Sequence, residues 1–159
     1  MEFWLKAPTG NKFWLLRKVV SLVAFLGGNR LAELRHAKQS SISRCPEGFM
    51  FKFTPAKQRG HIKESKFIIP RGKAPNGVCF ASMIDVYLEE LEKFGLRSPK
   101  IGNANRPFFF TGRADTASGT SKFVNSPLGE NSLRNVGRDI ASWLGLENAE
   151  NYTGHAFRR

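Results

Sequence analysis

Apolar residues between positions 11 and 26 recur at helical spacings, with Phe13, Trp14, Leu16, Val20, Val23 and Leu26 on a period near 3.6. The second half of this stretch is apolar nearly all round, which is the pattern of a helix buried on every side. The pair Gly27-Gly28 predicts its end, since glycine adopts the left-handed conformation that closes a helix without steric penalty. A short second helix is expected from about Arg30 to Ala37. The period then changes to two. Ser41–Cys45 and Phe49–Thr54 predict strands around a Pro46-Glu47-Gly48 turn. In the second strand Phe49, Phe51 and Phe53 alternate with Met50, Lys52 and Thr54, so three rings share one face. Lys66–Pro70 predicts a third short strand.

Residues 79–94 carry the clearest helical stripe, formed by Phe80, Met83, Ile84, Tyr87, Leu88, Leu91 and Phe94, with Asp85, Glu89, Glu90 and Glu92 on the outer face. Residues 95–130 are rich in Gly, Ser, Asn and Pro and poor in periodicity, apart from the short apolar Pro107–Thr111, and read as loop. A last helix is predicted from about Ser132 to Leu144, with Leu133, Val136, Ile140 and Trp143 or Leu144 inward. Together these elements predict an α+β fold that is mainly α-helical, with one small three-stranded antiparallel sheet. No internal repeat or domain boundary interrupts the 159 residues, a length sufficient for one hydrophobic core.

Charge changes this picture more than composition does. With 41% hydrophobic residues the chain is not wholly disordered, but 25 Lys and Arg against 13 Asp and Glu give a net charge of +12. Residues 1–80 hold 15 basic and 4 acidic groups, while residues 81–159 hold 10 and 9. A basic half beside a near-neutral half points to a polyanion, nucleic acid or an anionic membrane surface. Membrane insertion is not expected, because Val19 to Leu26 is far shorter than the ~20 residues a spanning helix needs. The first residues, Met-Glu-Phe-Trp-Leu-Lys, have no basic region or small-residue cleavage site, so no secretory signal is expected. Cys45 and Cys79, the only cysteines, stand 34 positions apart, which argues against a zinc site or disulfide framework and for a reducing intracellular compartment.

Phosphate-binding Gly-rich loops, a G-x-S-x-G elbow and H-E-x-x-H are absent. Three basic clusters remain. Arg30 stands at a helix start, where the helix dipole slightly disfavours a cation; Glu33, three residues on, offers it an ordinary surface partner. Residues 52–73 hold Lys52, Lys57, Arg59, Lys63, Lys66, Arg71 and Lys73 against one acid, Glu64; they serve phosphate contact or form a solvated loop. The third cluster is His155-Ala-Phe-Arg158-Arg159. In a helix, its H-x-x-R spacing puts an imidazole and a guanidinium fork on one face, a pairing suited to proton transfer beside a phosphate.

In chain order, Gly-x-Arg-x-x-Glu-Leu after a buried helix, a lysine at a β-hairpin, and Thr-Gly-His-x-x-Arg-Arg after an amphipathic helix resemble the catalytic domain of tyrosine recombinases, the phage integrase superfamily. The wording Tyr-Thr-Gly-His-Ala-Phe-Arg-Arg is most similar to the eukaryotic branch related to Crypton-type mobile elements. The resemblance runs from about residue 11 to the end. It implies Arg30, Lys57, His155 and Arg158 as catalytic residues, with Lys63 as the alternative hairpin lysine and Glu33 as structural support of the site. Lys52, Arg59, Lys63, Lys66, Arg71 and Lys73 would contact DNA. It further implies double-stranded DNA as partner, a homo-oligomer on that DNA, nuclear location, and no cofactor, metal or membrane.

In that family a tyrosine attacks a DNA phosphate and forms a 3′-phosphotyrosyl link, while arginines and histidine neutralise the developing charge and a lysine protonates the leaving 5′ oxygen. The nucleophile lies beyond the H-x-x-R helix in the family. Here the only tyrosines are Tyr87, on an apolar stripe, and Tyr152, before the box. The expectation is therefore a catalytic-domain fragment that stops short of its nucleophile and is inactive alone, or a non-enzymatic DNA-binding module derived from such a recombinase. An RNA-binding reading is weaker, because no aromatic RNP-type strand is present.

Overall fold

The computed structural model of the chain describes residues 2–53, 64–98, 104–153 and 157. A five-residue helix, α1 (Glu2–Lys6), precedes the long central helix α2 (Lys12–Gly27). The Asn11 side chain starts α2 by accepting hydrogen bonds from the backbone N–H groups of Phe13 and Trp14, at 3.0 and 3.3 Å. Gly28 ends it at φ 61°. Every residue from Leu15 to Ala24 is buried, as an all-round apolar helix requires.

A one-turn helix, α3 (Leu31–Leu34), and a 3₁₀ turn (Gln39–Ser41) lead into strands β1 (Ile42–Cys45), β2 (Gly48–Phe53) and β3 (Ser65–Pro70), an antiparallel sheet in that order. In its register Phe51 stands opposite Ile42 and Phe67, so one face turns aromatic rings to the core. Met50, Lys52, Lys66 and Ile68 share the other face. Helix α4 (Phe80–Lys93) follows, then strands β4 (Phe110–Ala114) and β5 (Ser121–Pro127), helix α5 (Glu130–Trp143) and a 3₁₀ turn (Ala149–Asn151).

The expectation of a mainly α-helical fold with one sheet is corrected here. The described residues are mixed, with 42% helix, 23% strand and two antiparallel sheets. The second sheet, β4–β5, lies in the stretch whose composition reads as loop. It leaves little periodic signal because β5 buries Phe123 alone among its seven residues. Its tip is polar for a structural reason: Asp115 Oδ1 accepts from the N–H groups of Ala117 and Ser118, closing the turn. Gly112 of β4 meets the start of α2 so closely that a Cβ would run into the Lys12 carbonyl. The glycine that reads as a loop signal in sequence is a packing requirement.

Two buried cations sit on α2. Arg17 lies over the Phe13 ring, and its Nε donates to Asp139 Oδ2 of α5 at 2.7 Å. Burial weakens the guanidinium's hold on its proton and Asp139 opposes that effect. Lys18 is only 1% exposed, and burial pushes its ammonium below the usual lysine range.

Tyr87 of α4 is fully buried among Phe108, Phe109 and Phe123. Its hydroxyl donates to the Phe108 carbonyl at 2.8 Å and accepts from the Phe110 N–H at 3.2 Å. Burial pushes the phenol well above its ordinary pKa. Because the folded-state value is raised, the stability that neutral Tyr87 contributes is complete below pH ~10, the value for a free tyrosine, and is lost as pH rises beyond it. Tyr87→Phe should cost about 1–2 kcal/mol at neutral pH, by orphaning two backbone groups. It should also flatten the alkaline loss of stability. Urea denaturation at a series of pH values checks both effects.

Candidate functional site

The site begins where α2 ends. After the left-handed Gly28 the chain turns extended at Arg30, with φ −71° and ψ 138°, and enters α3. The Arg30 N–H donates to Glu33 Oε2 at 3.1 Å, and the Arg30 carbonyl accepts from the Glu33 N–H at 2.9 Å. Glu33 thus clamps the backbone that carries Arg30, the carboxylate half of a capping box. It does not neutralise the side chain: among the described residues the guanidinium has no ion-pair partner, and its Nε is buried without a hydrogen bond.

Asn29, one residue earlier, is 2% exposed and its Nδ2 also lacks a partner. This amide and the Phe67 ring of β3 crowd Gly27 so tightly that a Cβ there would strike both. That contact fixes the end of α2 against the three-stranded sheet.

On the sheet, Lys52 of β2 faces Lys66 of β3 directly, a like-charge pairing that is unfavourable without a counter-charge. Glu64 supplies one to Lys66, with Nζ and Oε2 3.2 Å apart. Lys52 instead borders a cavity of about 330 Å³ that also takes in Glu33, His36, Lys38, Ser40 and Phe53. Glu33 and Lys52, distant in sequence, therefore face one space. Arg71 and Lys73 do not join them. The Arg71 N–H donates to the Glu47 carbonyl at the opposite end of the sheet, and its guanidinium stands 3.9 Å from Asp85, which Arg44 also contacts at 2.7 Å. Lys73 bridges to Cys79 at the start of α4. The basic run 52–73 is thus divided between two ends of the sheet.

The segment ahead of His155 crosses α5. A Cβ on Gly137 would collide with the carbonyl oxygens of Tyr152 and Thr153, and Phe157, between His155 and Arg158 in sequence, packs against the core. Helix α5 also contacts α3, where Arg35 lies 3.4 Å from Glu130. One helix therefore backs both the arginine turn and the chain leading to the H-x-x-R box. Lys57, Arg59, Lys63, His155 and Arg158 themselves lie outside the described residues. Of the two tyrosines, Tyr87 is buried and doubly hydrogen-bonded, and Tyr152 is 39% exposed beside α5.

Among the described residues no group of His, Cys, Asp and Glu is gathered to hold a metal ion, and no helix is long and apolar enough to cross a membrane. The sequence pattern does not single out Asn29, His36, Lys38 or Ser40. The only cue to two of them is the basic run Arg35-His36-Ala37-Lys38, and Asn29 and Ser40 have none. No family model matches the chain, and no curated protein matches it.

If Glu33 holds the arginine turn, Glu33→Ala should lower stability by about 1 kcal/mol, the usual cost of losing a helix cap. A thermal melt of the variant beside the parent chain measures it.

Proposed function

We propose that this chain is a double-stranded DNA-binding domain of the tyrosine-recombinase type, in which Arg30, Lys57, His155 and Arg158 surround a phosphodiester. One observation carries the reading: the Arg30 guanidinium is partly buried, its Nε has no partner, and the adjacent acid is turned to the backbone. A buried donor left unsatisfied calls for an explanation, and a phosphate oxygen supplies one. The shared contact of α3 and the pre-His155 segment with α5 supports convergence of the two boxes. Lys52 and Lys66 add positive charge on the adjoining sheet.

In the reaction proposed, a tyrosine oxygen bonds to phosphorus and the 5′ oxygen leaves with a proton from Lys57, while Arg30, Arg158 and His155 hold the non-bridging oxygens. Neither tyrosine of this chain suits that role: Tyr87 has no route to solvent, and Tyr152 stands before the box. A second reading is a recombinase-derived module that binds DNA without cutting it; burial of Tyr87 removes one of the two tyrosines of this sequence as a nucleophile. Both readings place the protein in the nucleus on duplex DNA, alone or as a homo-oligomer.

Binding to duplex DNA should show little sequence preference and weaken roughly tenfold to a thousandfold between ~50 and ~200 mM salt, as expected when several phosphates are contacted. Replacing Lys57, Arg59 and Lys63 together by alanine should flatten that dependence. A titration with absent or salt-independent binding overturns the DNA reading. Offered a nicked suicide substrate, the 159-residue chain should form no covalent adduct. An adduct that disappears in Tyr152→Phe would show that the nucleophile is Tyr152 after all.

A further inference from the structure

The cavity that Glu33 and Lys52 border is larger than a phosphate contact needs. At about 330 Å³ it falls at the small end of the ~300–1,000 Å³ typical of ligand sites. Its polar lining sets Lys38 and Lys52 against Glu33 and Glu64. His36, the Lys38 ammonium, the Ser40 hydroxyl and Lys52 have no partner among the described residues, whereas the carboxylates of Glu33 and Glu64 are already engaged by the Arg30 N–H and by Lys66. An aromatic ring also borders it. Phe53 is half-buried, touches Phe67 edge-on at 6.5 Å, and borders the cavity. A duplex backbone has nothing to offer an aromatic ring, but an unstacked base does, because every base has a π-face.

We propose that this cavity receives one nucleotide whose base is out of the duplex stack, on the strand whose phosphate Arg30 contacts. Lys38, Lys52 and Ser40 hold its phosphate, and Phe53 stacks on its base. The proposal rests on the DNA-binding reading and adds a substrate preference to it. Extracting a paired base costs unstacking and unpairing, and this cost is least for a base that is already unpaired. The chain therefore favours DNA carrying a bulged or overhanging nucleotide over a perfect duplex.

The experiment compares the full chain on two duplexes of equal length, one fully paired and one with a single bulged 2-aminopurine, by fluorescence anisotropy and by 2-aminopurine emission. The bulged duplex should bind about tenfold tighter, the scale of one base–aromatic stack, and its emission should change on binding. Phe53→Leu, which keeps an apolar side chain on β2, should remove the preference and the emission change while leaving affinity for the paired duplex as it was. Lys38→Ala, at an exposed position, should reduce the preference without touching the fold. Equal affinity for the two duplexes, or a 2-aminopurine signal indifferent to Phe53→Leu, overturns the pocket and leaves the DNA reading standing. Failure to bind either duplex overturns both.

Discussion

A helix with no outward face has to be walled in on all sides, and α2 imposes that constraint on the whole chain. The walls are β3, β4, β5, α3, α4 and α5, all in contact with it. At its first turn Gly112 allows β4 to approach the Lys12 carbonyl, and at its last turn Gly27 and Phe67 bring β3 equally close. Both ends of the helix are therefore fixed by contacts that leave no room for a Cβ. The arrangement tolerates Arg17 inside only because Asp139 of α5 answers its charge, since an uncompensated ion in this setting carries a desolvation cost of several kcal/mol. Arg30, three residues past the helix, inherits its position from that packing.

The turn that follows Arg30 is held from behind by α4. Tyr87 bonds the backbone at Phe108 and Phe110, and this segment reaches across to the arginine side: Phe108 N–H donates to the Ala37 carbonyl at 2.8 Å. Gln39 completes the connection, its Nε2 donating to the carbonyls of Leu96 at 3.0 Å and Pro107 at 3.3 Å. Residues 36–41, which form one wall of the cavity, thus rest on a buried phenol on another helix. Such a wall is a preorganised surface, since its backbone groups are already satisfied within the protein.

This dependence explains which features could be read in the sequence. Helices α2, α4 and α5 each bury a face through many residues at a 3.6 period, and β2 buries alternate phenylalanines, so each announces itself locally. The β4–β5 hairpin buries few residues per strand and owes its place to Gly112 meeting α2, a contact with a helix some hundred residues earlier that no local pattern encodes. Helix α1 is too short to show a period, although Phe3 lies edge-on to Trp14 and Trp143 at 5.9 and 5.4 Å. The same split holds at the site. Arg30 and Glu33 are visible as a motif, but the free amide of Asn29 and the grouping of His36, Lys38 and Ser40 with Lys52 exist only once α3 docks beside the sheet.

The distribution of counter-charges sharpens the electrostatic argument beyond net charge. In the near-neutral half five of the nine acids are ion-paired within the fold: Asp85 with Arg44, Glu90 with Lys12 and Lys93, Glu92 with Arg97, Glu130 with Arg35 and Arg134, Asp139 with Arg17. Cations near those acids are largely cancelled at short range, whereas Arg30, Lys38 and Lys52, which stand around α3 and β2, form no ion pair among the described residues. Glu33 and Glu64 are acids at the border of that region, and Glu33 by itself would repel a phosphate. Its carboxylate, however, accepts from the Arg30 N–H, so part of its charge serves to fix the backbone from which the guanidinium projects. A polyanion approaching this face meets an arginine whose backbone is held before contact.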